Sequence, residues 1–220
     1  FFASHAKGAM IYDIDGNEFI DFGSALGAIT LGYNDVDVMN TVKNQLEKGT
    51  IYSLSSKLEC EVAEQLCDIV SSAEMVRFGK NGSDVTTAAV RLARAYTNKD
   101  MIATCGYHGW QDWYIGSTSK NLGVPKVVQE LTVSFEYNNL DSLKSIFEKY
   151  SGKVAAVIME PVNNTKPNDG FLESVQALAK HHGAVFILDE MITGFRFANG
   201  GAQEFFNITP DLATFGKGIA

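Results

Sequence analysis

The sequence predicts an α/β protein whose mostly parallel sheet is flanked by helices, and three observations carry that prediction. From about residue 75 onward, short apolar runs alternate with amphipathic helical patterns, as expected of strands joined by crossover helices. Runs such as Ala184-Val185-Phe186-Ile187-Leu188 are apolar without alternation, the pattern of strands covered on both faces. The residues able to do chemistry cluster at the ends of these runs, the edge where open parallel sheets place their ligands.

Taken in order, residues 9–22 alternate as strands and reverse at Asp15-Gly16, a strong hairpin signal. Residues 35–48 carry Val38, Met39, Val42 and Leu46 at helical spacing and stop at Gly49, a natural residue for a helix end. A second helix is expected from Ser56, with Glu59 completing a capping box and Leu58, Val62, Leu66 and Ile69 buried. Strands are then expected near residues 74–78, 101–104, 154–160, 184–189 and 212–215, and helices near 83–97, 140–150 and 172–182. This divides the chain into an N-terminal segment, 1–72, and a cofactor domain beginning at 73 and running to 220. No internal repeat or low-complexity linker interrupts it.

Composition sets the outer bounds. A 220-residue chain with 45% apolar and 20% charged residues has the make-up of a globular protein with a sizeable core. No apolar stretch reaches the roughly 18 residues of a membrane span. A net charge of −8 argues against a nucleic-acid or anionic-membrane surface and leaves room for a local phosphate pocket. Cys60, Cys67 and Cys105 have neither CxxC nor metal-ligand spacing, which suits a reducing cytoplasm, and no metal site is expected. No signal-peptide pattern opens the chain, so the sequons at Asn163 and Asn207 are expected to be incidental. Starting at Phe1 and stopping three residues after Lys217, the sequence reads as an incomplete fragment.

Two residues point to a cofactor. Lys217 lies in Phe215-Gly216-Lys217-Gly218 after one apolar run, and Asp189 closes another. An amine for an aldehyde and a carboxylate for a ring nitrogen are the two poles of pyridoxal phosphate chemistry. A lysine ammonium is not nucleophilic at neutral pH, so its surroundings must change it. Each residue alone has a plainer reading: a solvated surface charge for the lysine, a helix N-cap for the aspartate.

Other candidates sit at the same predicted edge. Gly79-Lys80-Asn81-Gly82-Ser83-Asp84 joins a strand to a helix, where glycines and unpaired N–H groups suit an anion, although P-loop spacing is absent and a plain N-cap is the simpler reading. Tyr107 in Tyr107-His108-Gly109-Trp110 is placed to cover one face of a ring or to be a core aromatic, and His108 reads as a satisfied structural histidine. Glu160 and Asn163 or Asn164 follow another strand, within reach of a ring hydroxyl or a substrate, and Arg196 is equally suited to pair with a nearby acid.

These flanks resemble the class III (omega-type) pyridoxal-phosphate aminotransferases over essentially the whole chain. The resemblance rests on Leu188-Asp189-Glu190-Met191-Ile192-Thr193-Gly194-Phe195-Arg196, Thr209-Pro210-Asp211-Leu212 and Phe215-Gly216-Lys217. Within that family the chain is most similar to glutamate-1-semialdehyde 2,1-aminomutases, through Glu74-Met75-Val76-Arg77-Phe78, Arg91-Leu92-Ala93-Arg94-Ala95-Tyr96-Thr97, Tyr107-His108-Gly109 and Gly200-Gly201-Ala202-Gln203. The resemblance implies a type I aminotransferase fold, pyridoxal 5'-phosphate as cofactor, and Lys217 and Asp189 as the catalytic pair. It also implies Gly82 and Ser83 on the phosphate, with Asn81 a departure from the usual serine, and Tyr107 and Met191 on opposite faces of the ring. A homodimer acting on a small-molecule amino donor and a carbonyl acceptor follows in the same way. A sheet ending at the strand near 212–215 leaves an unpaired edge and an apolar face, so residues 1–220 are expected to fold poorly alone.

Three functions are compatible with these residues: a transaminase, an aminomutase, and a relative that binds without turnover. A binding module needs neither Lys217 nor Asp189. The aminomutase motif is altered here, with Trp110 and Trp113 near the gate and a short loop from Ser117 to Gly123. Those tryptophans either face a bulky amino substrate or pack beneath the loop.

Overall fold

Local chemistry sets most of the element boundaries. In the computed structural model, which describes residues 1–219, the chain begins with β1 (Ala3–Lys7), β2 (Met10–Asp13) and β3 (Glu18–Ile20). Asp13 holds the β2–β3 reversal together: its carboxylate accepts from Asp15 N, Asn17 N and Asn17 Nδ2 at 3.0, 2.8 and 2.9 Å. Gly16 supplies the turn's left-handed residue at φ 85°. A short helical segment, α1 (Ser24–Gly27), precedes α2 (Val36–Leu46), which Asp35 caps by accepting from Asp37 N and Val38 N. Next, α3 (Lys57–Ile69) starts at the expected capping box, with Glu59 N donating to Ser56 Oγ and Ser56 N to Glu59 Oε2.

The chain divides into two compact units, Phe1–Glu64 and Gln65–Ile219. In the first, an antiparallel sheet in the order β1-β2-β3 pairs Met10 with Ile20 and Tyr12 with Glu18. Its apolar stripes are only partly covered. Leu58, Val38, Val42 and Leu46 are exposed where the sequence pattern predicted burial for Leu58. Ile69, at the end of α3, is likewise exposed, while Val62 and Leu66 are half-buried. The helical spacing was read correctly, but spacing says which residues share a face and not what covers it.

The second unit holds α4 (Gly82–Thr97), β4 (Met101–Cys105), α5 (Asp112–Ile115), α6 (Lys126–Gln129), β5 (Thr132–Ser134), α7 (Leu140–Lys149) and β6 (Val154–Met159). It continues with α8 (Phe171–His181), β7 (Val185–Asp189), α9 (Ala202–Phe205), β8 (Leu212–Thr214) and a 3-10 turn at Lys217–Ile219. Five parallel strands pair in the order β5-β4-β6-β7-β8. The expected strand at residues 74–78 does not form. Met75 and Phe78 are exposed, and the segment pairs with none of the described strands.

Period-two alternation separates the two faces of the sheet. Ala103, Val157, Phe186 and Leu188 pack with Leu143 and Phe147 of α7 and Leu172 and Val175 of α8. Ile102, Ile158, Val185 and Ile187 pack instead with Ala89, Val90 and Ala93 of α4 and with Trp113. Successive strands are added first to one side of β4 and then to the other. The resulting switch point lies between the carboxyl ends of β4 and β6, where open α/β sheets form their ligand crevice.

Candidate active site

Asp189 is the last residue of β7 and, by alternation with Val185 and Ile187, belongs to the face that α4 covers. It is 1% exposed, so its carboxylate must be satisfied by protein groups. Oδ1 accepts from Met191 N at 3.1 Å and from Thr214 Oγ1 at 3.1 Å, while Oδ2 faces Nδ1 of His108 at 2.6 Å. A carboxylate has about four acceptor positions. Three donors leave one for a further N–H.

The loop after β4 is built around two left-handed glycines. Gly106, at φ 109°, has no space for a side chain because Glu160 presses on it, and Tyr107 N donates to Glu160 Oε2 at 3.1 Å. Gly109, at φ 103°, lies against Ser83 in the same way. Thr86 Oγ1 donates to His108 O at 2.9 Å, and Trp110 N reaches Ser83 Oγ at 3.4 Å, so the first turn of α4 is stapled to this loop. Tyr107 is 63% exposed, with its ring edge-on to Tyr114 at 5.6 Å. An aromatic body left open at a strand end is available for stacking.

At the start of α4, Asn81 is the N-cap, its side chain accepting from Asp84 N at 3.1 Å. The simpler sequence reading therefore describes its side chain. Gly82 and Ser83 form the first turn, whose N–H groups have no intrahelical acceptor. A Cβ on Gly82 would stand 2.9 Å from the Met191 sulfur, and one on Gly216 2.6 Å from it. Met191 thus bridges the helix N-terminus and the lysine turn, and a side chain on either glycine would displace it.

Lys217 opens the terminal 3-10 turn at φ 52°, a left-handed conformation uncommon for a residue with a Cβ, and is half-buried. Strain of this kind concentrates at functional positions. Glu160 reports the charges around it. Burial pushes its carboxyl above the usual range and the Tyr107 N–H opposes that; Asp189 then raises it further, while His108 and Lys217 lower it. These four charged groups share one neighbourhood at the carboxyl edge of the sheet.

Glu190 is fully buried and acts as a clasp. Its backbone N–H donates to Thr214 O at 2.8 Å, and its carboxylate takes the Thr193 hydroxyl together with Ala202 N and Gln203 N at 2.9 and 2.8 Å. Burial raises this carboxyl, and those donors partly offset the effect. Gly201, at φ 86°, has no room for a side chain because the clasped carboxylate lies 2.8 Å from where its Cβ would be.

The arrangement thus brings together Lys217, Asp189, Gly82, Ser83, Tyr107 and Met191, with Asn81 at the helix start. Asn164 lies exposed on the loop after β6. Trp113 departs from the gate reading: it is 6% exposed, packs in the core with α4, and donates from Nε1 to Thr87 Oγ1 at 2.9 Å. A buried indole N–H needs such a partner, and Thr87 supplies it. Trp110 is 67% exposed. Thr214 and the bond between His108 and Asp189 were not anticipated. Thr214 has a signal in hindsight, since it pairs in register with Asp189; the His108 bond spans 81 positions and has none.

The fit to pyridoxal phosphate is good on these observations. Asp189 has a spare acceptor position, Gly82 and Gly216 lack the side chains that would fill the cradle, and an exposed phenol stands beside it.

The profile of the family described as aminotransferase class-III matches residues 1–220. The chain is 41% identical over 226 residues to a 3-aminobutyryl-CoA aminotransferase of Cloacimonas acidaminovorans, covering 100% of this chain and 54% of that protein. It is 39% identical over 231 residues to a glutamate-1-semialdehyde 2,1-aminomutase of Syntrophobacter fumaroxidans, covering 98% and 53%. A solved transaminase with PLP bound superimposes with a TM-score of 0.92 at 26% identity, covering 98% of this chain and 54% of that one. The chain therefore spans about half the length of the relatives it matches.

Proposed function

The chain belongs to the class III aminotransferase family, and from that premise we propose that its protein is a pyridoxal-phosphate-dependent transaminase. It moves an amino group from a small-molecule donor to a carbonyl acceptor. The observation that carries this reading is the convergence of Asp189, Met191, Gly82 and the Lys217 turn on one edge of the parallel sheet. When bound, pyridoxal phosphate supplies an electron sink for the bonds at the amino carbon.

The chain's own residues have separable tasks. Lys217 would supply the amine that holds the cofactor and the base that moves a proton to and from the substrate carbon. Asp189 would keep the ring nitrogen protonated through a charge-assisted bond. Gly82 and Ser83 offer the phosphate the N–H groups and positive end of α4. Tyr107 and Met191 would pack on the two faces of the ring, and Asn164 would supply a polar contact to the ring hydroxyl or the substrate.

A relative that binds without turnover is disfavoured, because a binding module gains nothing from a buried carboxylate or a left-handed lysine. Against the aminomutase reading stand the exposed Trp110 in the loop that carries Tyr107 and the short segment from Ser117 to Gly123. Supplying glutamate-1-semialdehyde to the full-length protein without any other amino donor is expected to give little 5-aminolevulinate. Efficient conversion would restore the aminomutase.

The large exposed side chains of the first unit, among them Phe22, Leu31, Ile51 and Leu54, support a homodimer. Light scattering on the full-length protein is expected to give twice the subunit mass, and a monomeric mass at working concentration would contradict it. None of the described helices is long and apolar enough to cross a membrane. With Cys60, Cys67 and Cys105 all free, a cytoplasmic location is the consistent proposal.

A further inference from the structure

Two loops at the carboxyl edge of the parallel sheet are tied together by side chains. β5 and β6 lie on either side of β4, and the loop that follows β5 holds the loop that follows β6 at both ends. Tyr137 Oη donates to Pro161 O at 2.6 Å. Farther along, Asn138 Nδ2 donates to Lys166 O at 3.0 Å, and Asn138 Oδ1 accepts from Asn168 N at 2.8 Å. Both partners of that amide are main-chain groups, one an acceptor and one a donor, so a single orientation of the amide satisfies them. Residues 162–165 thus form an arch with both feet pinned.

The holding side is itself anchored. Asn139 N donates to Glu136 O at 3.2 Å and closes the turn, Glu136 N donates to Ser142 Oγ at 2.9 Å, and the Asn139 side chain caps α7 by accepting from Ser142 N. The turn puts Asn138 at φ 60°, a left-handed conformation that asparagine adopts more readily than most residues. Tyr137 packs edge-on against Phe171, the first residue of α8, at 5.4 Å. Burial pushes its phenol up to about 12, so the hydroxyl keeps the proton it donates.

Inside the arch, Asn163 Oδ1 accepts from Thr165 N at 3.1 Å, so that oxygen is spent on the arch's own shape. Asn164 beside it is exposed, and among the described residues no hydrogen bond engages its amide. A free loop loses conformational entropy each time it orders around a ligand, and a loop already held in place avoids that cost.

We propose that Tyr137 and Asn138 are positioning residues that hold the arch 162–165 in its binding conformation and thereby present Asn164 to the amino substrate. The placement of Asn164 beside the substrate rests on the transaminase reading; the clasp itself does not.

The test uses the full-length protein. Free of cofactor, Asn138→Gly keeps the left-handed backbone and removes both side-chain bonds, and deuterium exchange across residues 162–168 is expected to quicken at least about tenfold. Asn138→Asp, which keeps the acceptor for Asn168 N and loses the donor, is expected to fall in between. Unchanged exchange overturns the clasp. With pyridoxal phosphate bound, Asn164→Ala and Asn138→Gly are each expected to raise the KM of the amino donor at least about fivefold, with a smaller change in kcat. The double variant is expected to be no worse than Asn164→Ala, because Asn138 acts through Asn164. Three results overturn the proposal: lowered thermal stability with KM unchanged, additive effects in the double variant, or an Asn164→Ala protein whose cofactor absorbance shifts while KM stays the same. If Asn138→Gly does not fold, Asn138→Asp carries the same comparisons. An unaltered protein that develops no visible absorbance with pyridoxal phosphate would sink the transaminase reading, while exchange in the cofactor-free protein still decides the clasp.

Discussion

Lys217→Ala is expected to lower transamination by at least about a thousandfold, the upper part of the range for losing a positioned proton-transfer group, with loss of the covalent attachment added. The fold should survive. Lys217 is half-buried, and alanine at the same left-handed backbone is no more strained than lysine. The full-length variant should still bind pyridoxal phosphate through the helix N-terminus and Asp189, but its absorbance should be that of the free aldehyde. Steady-state rates with an added primary amine give a second reading, because a small amine can take the proton that the missing side chain would have moved. A Lys217→Ala protein retaining a tenth or more of the activity would move the chemistry to another residue.

Asp189→Asn is the second large effect. Losing one charge-assisted contact worth about 1.5–3 kcal/mol corresponds to roughly a ten- to hundredfold fall in rate. The geometry makes that a minimum. Asp189 accepts on both oxygens, from Met191 N and Thr214 on one and from His108 on the other, whereas asparagine has a single oxygen. Its NH₂ group therefore replaces one accepting oxygen, facing either the Met191 N–H and Thr214 hydroxyl or the imidazole, and the amide has no charge with which to hold a protonated ring nitrogen. Turnover should fall by at least a hundredfold while cofactor binding stays measurable by absorbance titration. A variant with a near-normal rate would remove Asp189 from the site.

Where the sequence was legible, local rules were at work. The strand Ala184-Val185-Phe186-Ile187-Leu188 could be read because a run buried on both faces has no polar alternation, and its end put Asp189 at the ligand edge before any pairing was known. The capping box at Ser56 and Glu59 needs only four consecutive residues, and both of its hydrogen bonds are present. What failed were long-range properties. Residues 74–78 have strand-like composition, but a strand needs a neighbour, and the segment pairs with none of the described strands. His108, in the loop after β4, and Trp113, in α5, are close in sequence, and neither spacing nor composition reveals that one reaches across the sheet to Asp189 and the other packs against α4. Glu190 shows the same limit: adjacent to Asp189, it looks like a second candidate acid, yet its partners at residues 193–203 make it a clasp.

The central claim is that Lys217 is the residue to which pyridoxal phosphate attaches, and it is open to a direct chemical measurement. Borohydride reduction of the loaded full-length protein fixes the cofactor to whichever lysine holds it, and peptide mapping then identifies that lysine. The account predicts a single modified peptide containing Phe215-Gly216-Lys217. A label on Lys80, the lysine beside the helix N-terminus, or on any other lysine would contradict it.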